Sequence, residues 1–221
     1  MSLSIIIPML NESAALPRAL SELRQYAGIA EVILVDGGSQ DDSIALAQRA
    51  GVKVISSAPG RARQMNAGAT AASGDELLFL HADTRLPIQA DRLINAALTR
   101  HHWGHFDVTI SGRHPMLAVI AFMMNRRSRL TGIATGDQAM FVRRSTFETV
   151  GGFPEQPLME DIELSKQLKR LGSPACLPQK VVTSGRRWEQ RGLWRTILLM
   201  WRLRFAYWRG ASPEQLARAY R

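Results

Sequence analysis

The chain has 221 residues, of which 46% are apolar, so it can bury a substantial core and lacks the composition of a disordered protein. Its single Cys176 excludes an intrachain disulfide, and no run reaches the roughly 20 apolar residues that cross a bilayer. The formal charge of +9 indicates an anionic partner, and nucleoside diphosphates, acidic lipid surfaces and nucleic acids all qualify.

The first half of the sequence alternates between short apolar runs and segments with helical spacing. The expected elements are strands at 4–8, 31–35, 52–55 and 76–80, and helices at 14–26, 42–50 and 63–72. Near-continuous apolar strands separated by helices indicate a parallel sheet that is covered on both faces. The first half therefore predicts an α/β fold.

The second half is less regular. The expected elements are helices at 115–124, 161–171, 193–208 and 213–220, and strands at 139–142 and 177–183. Pro178 interrupts the last strand, and Ser212 is the expected N-cap of the last helix, with Pro213 at its first position. No internal repeat or low-complexity linker breaks the chain, so we predict one domain over residues 1–221.

Acidic residues follow two of the predicted strands. Asp36 comes directly after one of them and Asp83 shortly after another, and the carboxyl ends of strands are where open α/β sheets bind ligands. A carboxylate at Asp36 can accept a hydrogen bond from a nucleotide base, and the two glycines that follow let the backbone approach a ligand. The alternative is a tight turn and helix cap at 36–41 that needs no ligand.

Two further residue groups in the first half suit a charged ligand. Arg61 and Arg63 stand at a predicted helix start, where they can meet phosphate. The alternative is a solvated basic turn, which is the commoner role of such a pair. Asp83 offers the carboxylate that hard divalent cations prefer, and Mg²⁺ typically takes only one or two protein ligands. His81 is the weaker metal candidate, because a lone histidine is more often structural.

Three motifs occur in order in the second half. They are Gly-Asp-Gln at 136–138, Gly-Gly-Phe at 151–153 and Glu-Asp at 160–161. Each has a structural explanation, because glycines form turns and acids at a helix start are stabilised by the helix dipole. Their order is more specific than any one of them.

Together these motifs resemble those of the family 2 glycosyltransferases, and in particular a small single-domain bacterial branch. The resemblance implies a GT-A fold with a nucleotide-binding half at 1–84, an acceptor half at 85–188 and C-terminal helices at 189–221. By this resemblance, the residues that bind the nucleotide sugar are Pro8, Asn11, Glu12, Asp36, Gly38, Arg61, Asn66, Asp137, Gln138, Arg187 and Trp188.

The resemblance also implies the chemistry. A sugar would pass from a nucleoside-diphosphate sugar, with a UDP-sugar favoured, to an acceptor hydroxyl, with inversion at the anomeric carbon. Asp161 would be the general base, and Glu160 would help to place it or the sugar. Asp83 would bind Mg²⁺ or Mn²⁺ on the diphosphate, with His81 as a second candidate ligand.

Three motifs depart from the family pattern. His81 stands where the family's Asp-x-Asp has its first acid. The run Met-Asn-Ala-Gly at 65–68 matches only part of the family's Arg-Asn-x-Gly. Of the Arg/Gln-x-x-Arg-Trp element of processive synthases, only Arg187 and Trp188 fit strictly, so processivity is not implied.

Two other functions compete with glycosyl transfer. A sugar-phosphate nucleotidyltransferase would share the sheet and the metal acid, but it would be expected to carry a Gly-rich, Arg-containing loop where this chain has residues 8–12. A nucleic-acid-binding module would explain the positive charge, but it needs no buried acids. We therefore predict no nucleic-acid partner.

The predicted helix at 193–208 combines basic and aromatic residues. Arg195, Arg202 and Arg209 are seven apart and so lie nearly on one face. The aromatic residues interleaved with them are Trp194, Trp201, Phe205 and Trp208. This pattern suits a membrane surface and a lipid-linked acceptor, but it also suits a core helix or a homodimer seam. We favour peripheral membrane contact.

The N-terminus and the cysteine content predict the location. Residues 1–9 have no basic region before the first strand, so they do not resemble a signal peptide. A single cysteine fits a reducing compartment. We expect a soluble or peripheral protein in the cytoplasm, with the inner face of the membrane as its place of attachment.

Overall fold

The computed structural model describes residues 2–220, apart from the side chain of Arg187. The strands are β1 (Leu3–Met9), β2 (Ala30–Asp36), β3 (Lys53–Ser56), β4 (Glu76–Phe79), β5 (Trp103–Ser111), β6 (Phe141–Arg143) and β7 (Ala175–Ser184). The α-helices are α1 (Leu16–Leu23), α2 (Ser43–Arg49), α3 (Arg61–Ala71), α4 (Ala90–Leu98), α5 (Met116–Thr131), α6 (Arg144–Thr149), α7 (Glu160–Leu171), α8 (Arg186–Arg191), α9 (Leu193–Trp208) and α10 (Pro213–Tyr220).

The described strands form one sheet in the order β3-β2-β1-β4-β6-β5-β7. All neighbours run parallel except β6, which is antiparallel to both β4 and β5. The carboxyl ends of the other strands therefore share one edge with the amino end of β6. We call this the carboxyl edge, and the polar motifs of the sequence follow the strands at this edge.

Helices cover both faces of the sheet because successive strand residues point to opposite sides. On one face, Ile5 and Ile7 of β1 pack in a core with residues of α1, α4 and α5. On the other face, Ile6 packs in a core with residues of α3, α6 and α7. Burying each large aliphatic side chain contributes about 1.5–3 kcal/mol, so strands buried on both faces anchor the fold.

The elements predicted in the first half are confirmed, with shifts of a few residues at their ends. The helix expected at 14–26 is shorter, because it passes into a 3₁₀ turn at Arg24–Tyr26. The cap of α10 is also confirmed, since the Gln215 N–H donates to the Ser212 hydroxyl at 3.3 Å. Among the described helices, none is long and apolar enough to cross a membrane.

The second half differs from expectation at its strands. The interval between 80 and 115, to which the sequence assigned nothing, contains α4 and the nine-residue β5. Pro178 does not interrupt β7, because Leu177 pairs with Phe106 and Lys180 with Asp107, so that two residues form a bulge. β7 lies at the edge of the sheet, where a proline and a bulge are tolerated.

Candidate active site

The loops after β1 and β2 are joined by side-chain hydrogen bonds. The Asp36 carboxylate is buried and accepts the N–H groups of Gly38 at 2.8 Å and Ser39 at 3.1 Å. The Asn11 N–H donates to the Ser39 hydroxyl at 2.9 Å, and the Asn11 side-chain oxygen accepts the Gln40 N–H at 2.8 Å. The two loops therefore hold one conformation at the carboxyl edge.

The hydrogen bonds within this loop agree with the interpretation of residues 36–41 as a turn. Asp41 accepts the N–H of Ser43 at 3.0 Å and its hydroxyl at 2.5 Å. The N-cap residue of α2 is Asp42, whose side chain makes no capping hydrogen bond. Hydrogen bonds, first of all from the Ser43 hydroxyl, hold the pKa of Asp41 well below its usual range. An ionised carboxylate accepts about four hydrogen bonds, so Asp36 keeps capacity for a ligand after its two backbone bonds.

Gln64 of α3 links the carboxyl ends of β1 and β2 through hydrogen bonds. Its side-chain amide is buried and donates to the carbonyls of Met9 and Val35, at 2.8 Å each. A Cβ on Gly37 would lie 3.0 Å from this amide, so glycine lets the loop pass close to it. The sequence analysis missed Gln64, and the signal was a polar residue on a helix face that otherwise meets the sheet.

Asp83 and Glu12 face each other after β4 and β1. Burial raises the pKa of Glu12, and the negative charge of Asp83 raises it further. The Arg186 guanidinium, at the start of α8, comes within 4.0 Å of the Glu12 carboxylate. Two carboxylates and a guanidinium therefore stand together at the carboxyl edge.

His81 packs against the turn that precedes β6. Its Nδ1 lies 3.3 Å from a carboxylate oxygen of Asp137, and its Nε2 is buried without a hydrogen-bond partner. A Cβ on Gly136 would lie 2.5 Å from this Nε2, so only glycine fits there without displacing the ring. The ring thus lies between Asp137 and the Gly136 backbone.

The acid pair stands at the first turn of α7. Met159, with φ of 65°, precedes it in the left-handed region, and the Gly136 N–H donates to one oxygen of Asp161 at 2.9 Å. The other oxygen accepts the Ile162 N–H at 2.7 Å, which fixes the orientation of the carboxylate. Burial raises the pKa of Glu160, and the neighbouring charge of Asp161 adds to this effect.

Two arginines face these acids. Arg61, at the start of α3, lines one cleft with His81, Glu160 and Asp161. Arg127 of α5 is mostly buried, and burial lowers its pKa, opposed by the charges of Asp161 and Asp137. The sequence analysis did not single out Arg127, because in the sequence it is only one of three arginines at 126–129.

A family model described as Glycosyl transferase family 2 matches residues 4–150, which is more than half of the chain. The chain belongs to this family. A PGL/p-HBAD biosynthesis glycosyltransferase from Mycobacterium tuberculosis is 33% identical to the enzyme over 171 residues. That match covers 68% of this enzyme and 62% of the relative, so the chain spans less than two thirds of the relative's length.

Solved glycosyltransferase structures confirm the expected GT-A fold of the enzyme. A mannosyltransferase from Pyrobaculum calidifontis, in complex with GDP-Man and Mn²⁺, has a TM-score of 0.67 at 21% identity. This match covers 92% of this chain and 60% of that one. Glucosyl-3-phosphoglycerate synthase from M. tuberculosis, in complex with Mn²⁺, UDP and glucosyl-3-phosphoglycerate, has a TM-score of 0.62 at 22% identity. This match covers 81% of this chain and 70% of that one.

Most of the residues predicted to bind the nucleotide sugar lie at the carboxyl edge. Those at the carboxyl edge, on its loops or at the ends of its strands, are Pro8, Asn11, Glu12, Asp36, Gly38, Arg61 and Asp137. Trp188 is half-buried against the core beside α5, and the side chain of Arg187 lies outside the described residues.

Two of the predicted residues have their side chains engaged inside the protein. The Asn66 amide donates to the Phe153 carbonyl at 2.8 Å and accepts the Phe153 N–H at 2.9 Å. Gln138 is fully buried and donates to the Ser128 hydroxyl at 2.9 Å. Both residues therefore support the structure around the site: Asn66 holds the Gly-Gly-Phe turn, and Gln138 anchors the Gly-Asp-Gln turn.

The carboxylates near Asp83 meet the ligand requirements of a divalent cation. The described residues contain no group of three or more His, Cys, Asp or Glu side chains placed around one point. Mg²⁺ commonly takes one or two carboxylates and completes its shell with water and phosphate oxygens. Asp83 beside Glu12 supplies such carboxylates, whereas both ring nitrogens of His81 face protein atoms.

Proposed function

We propose that this glycosyltransferase moves a sugar from a nucleoside-diphosphate sugar to an acceptor hydroxyl in a single displacement, with inversion at the anomeric carbon. Membership of the family favours glycosyl transfer over nucleotidyl transfer and over nucleic-acid binding. The solved neighbours in complex with GDP-Man or with UDP support a nucleoside-diphosphate donor.

The observation that carries the proposal is the held position of Asp161. Its carboxylate is oriented by the N–H groups of Gly136 and Ile162, and it lines the cleft that Arg61 also lines. A general base must be positioned within hydrogen-bond reach of the proton that it takes. We assign Asp161 as the base that receives the acceptor hydroxyl proton, with Glu160 as the buried neighbour that places it.

We assign donor binding to the loops of the first half, residues 1–84. Asp36 and Gly38 would receive the base, with Asn11 and Glu12 alongside, and Arg61 would meet the diphosphate. The free N–H groups at the start of α3 add to the attraction for phosphate. Residues 85–188 would form the acceptor half, in which Asp137 faces the sugar.

We assign the metal to Asp83, with Mg²⁺ or Mn²⁺ as the ion. When bound, the ion offsets the negative charge that grows on the leaving diphosphate. Glu12 lies close enough to Asp83 for their charges to repel, and a divalent cation would relieve that repulsion. His81 is assigned the positioning of Asp137 and the Gly136 turn.

The acceptor and the location stay as the sequence predicts them. The relatives named for a role in biosynthesis support an acceptor that is a biosynthetic intermediate. We propose a lipid-linked hydroxyl as the acceptor and the cytoplasmic face of a membrane as the site of the reaction. A homodimer remains the alternative use of α9.

Calorimetry with nucleotides tests the donor and the metal separately from the base. We expect UDP or GDP to bind the native enzyme more tightly with Mn²⁺ than without it, and Asp83→Ala to remove that difference. Asp161→Asn should retain the affinity for nucleotide and Mn²⁺, because the base acts on the acceptor.

The same variants separate the base from the metal in a transfer assay. On an acceptor that the native enzyme uses, Asp161→Asn should lower the rate by roughly 10² to 10⁴, as removal of a general base does. Near-native turnover of Asp161→Asn would reject Asp161 as the base. Equal nucleotide affinity of the native enzyme with and without Mn²⁺ would reject the metal.

A further inference from the structure

A continuous apolar stripe covers the outer face of α9. Its members are spaced alternately by four and three residues, which places them on one side of the helix. They are between 61% and 78% exposed and comprise Trp194, Leu198, Trp201, Phe205 and Trp208. Single exposed apolar side chains are ordinary, but a contiguous set of this size marks an interaction surface.

The stripe takes no part in holding α9 to the protein. The opposite face of α9 does so, because Leu203 is buried against Met159 and against Leu216 of α10. The Tyr207 hydroxyl also donates to the Glu163 carboxylate of α7 at 3.0 Å. The structure therefore contradicts the interpretation of Trp201 as a core residue, since that side chain points outward.

The charges that flank the stripe select its partner. Arg195, Arg202 and Arg209 are exposed beside the aromatic residues, and the sequence of α9 contains no Asp or Glu. A seam of two copies along this face would bring arginines together with no acid from either α9 to pair them. A surface of negative lipid headgroups would supply the negative charges that these arginines need as partners. Tryptophan rings also suit the boundary between headgroups and acyl chains.

A second set of exposed apolar side chains lies on α5. Phe122, Met123 and Leu130 are more than half exposed, and Arg126 is exposed among them. The core cluster on this side of the sheet includes Leu117 of α5, and Leu193 of α9 packs against the same cluster. A second helix of the protein therefore also exposes apolar side chains beside an arginine.

We propose that α9 is a membrane-surface helix that seats the enzyme on an anionic bilayer through its aromatic stripe and flanking arginines. The inner face of α9 packs on Met159, the residue directly before Glu160 and Asp161. The segment that carries the acid pair is therefore within about one helix diameter, roughly 10 Å, of the lipid contact. The inference of a membrane-borne acceptor rests on the proposed role of Asp161, whereas the membrane contact itself does not.

Vesicle flotation tests the contact. The vesicles are phosphatidylcholine alone, or phosphatidylcholine with about a third phosphatidylglycerol, at low and high salt. We expect the native enzyme to float with the anionic vesicles at low salt and to be released by high salt. Trp201→Ser with Phe205→Ser, and separately Arg202→Glu with Arg209→Glu, should each weaken the partitioning at least about tenfold.

Ile88→Ser is the matched control, because Ile88 is 83% exposed but lies outside α5 and α9. This variant should float like the native enzyme. Thermal unfolding and nucleotide binding with Mn²⁺ should be unchanged in all the variants, which shows that the helix change did not unfold the protein. If the native protein does not bind nucleotide, the proposed reaction is wrong, but the proposed membrane contact is unaffected.

Three results would overturn the proposal. The native enzyme could stay unbound with anionic vesicles at low salt. The aromatic variant could float as well as the native enzyme. Sedimentation velocity could show a native dimer that Trp201→Ser with Phe205→Ser converts to a monomer, in which case the stripe belongs to a second copy of the chain.

Discussion

Replacement of Gly68 by alanine should destabilise the enzyme, although alanine is the better helix former. Gly68 lies on α3 where the helix crosses β1 and β2. A Cβ there would come 2.3 Å from the Cγ2 of Ile6 and 2.9 Å from the Cγ2 of Val35. Carbon atoms pack at roughly 3.5–4 Å, so the helix must move away by about 1 Å.

The magnitude follows from two opposing effects. Alanine in place of glycine stabilises a helix interior by about 1 kcal/mol. Overpacking of a well-packed core costs about 1–3 kcal/mol, and the two methyl contacts here place Gly68→Ala at the upper end. Ile6 and Val35 are themselves fully buried, so neither side chain can turn away into solvent. We expect a net loss of about 2 kcal/mol in the free energy of unfolding.

Urea unfolding of Gly68→Ala beside Thr70→Ala provides the measurement. Thr70 is exposed on the same helix, so its replacement should change stability by no more than about 0.5 kcal/mol. Because α3 also carries Arg61 and Gln64, the shifted helix of Gly68→Ala should bind nucleotide more weakly. A Gly68→Ala protein as stable as the native one, with an unchanged urea dependence, would refute the close approach of α3 to the sheet.

Two other predictions concern the second half of the site. Burial raises the pKa of Glu160 above the ordinary glutamate pKa of 4.5. The folded protein therefore loses stability relative to the unfolded chain as the pH rises above 4.5, because Glu160 must then ionise in a buried position. Glu160→Gln should therefore gain stability over the native enzyme toward neutral pH and gain none below about pH 4. A difference in urea midpoint that is the same at every pH would contradict this. Asn66→Ala should cost about 1–2 kcal/mol, because the Phe153 backbone loses both of its partners. An unchanged urea midpoint for Asn66→Ala would show that the turn holds without them.

The first half of the fold could be predicted because most of its strands are largely apolar. Strands buried on both faces show near-continuous apolar runs, and β1, β2 and β4 do. β5 is equally buried, but its sequence contains polar residues. His105 is fully buried in it, and Asp107 pairs there with Arg129 at 3.0 Å, so its sequence lacks the expected pattern.

The supporting residues of the site could not be predicted because their partners are distant in sequence. The carbonyls that Gln64 holds belong to residues 9 and 35, and Arg127 meets acids at 137 and 161. The local spacing of residues in the sequence does not indicate such distant pairings. For Asn66 and Gln138 the residue types were noticed, but only the packed structure shows that their amides are engaged within the protein.

The reversal of one short strand explains why the scattered motifs meet. β6 runs against β4, with Phe141 opposite Leu78 and Arg143 opposite Glu76. The turn before β6 is thereby brought to the end of β4, where His81 reaches Asp137 across 56 positions of sequence. A parallel β6 would begin at the opposite edge and leave Gly136 far from Asp161. The order of the motifs is therefore specific because it depends on the sheet topology, whereas each motif alone requires only a turn.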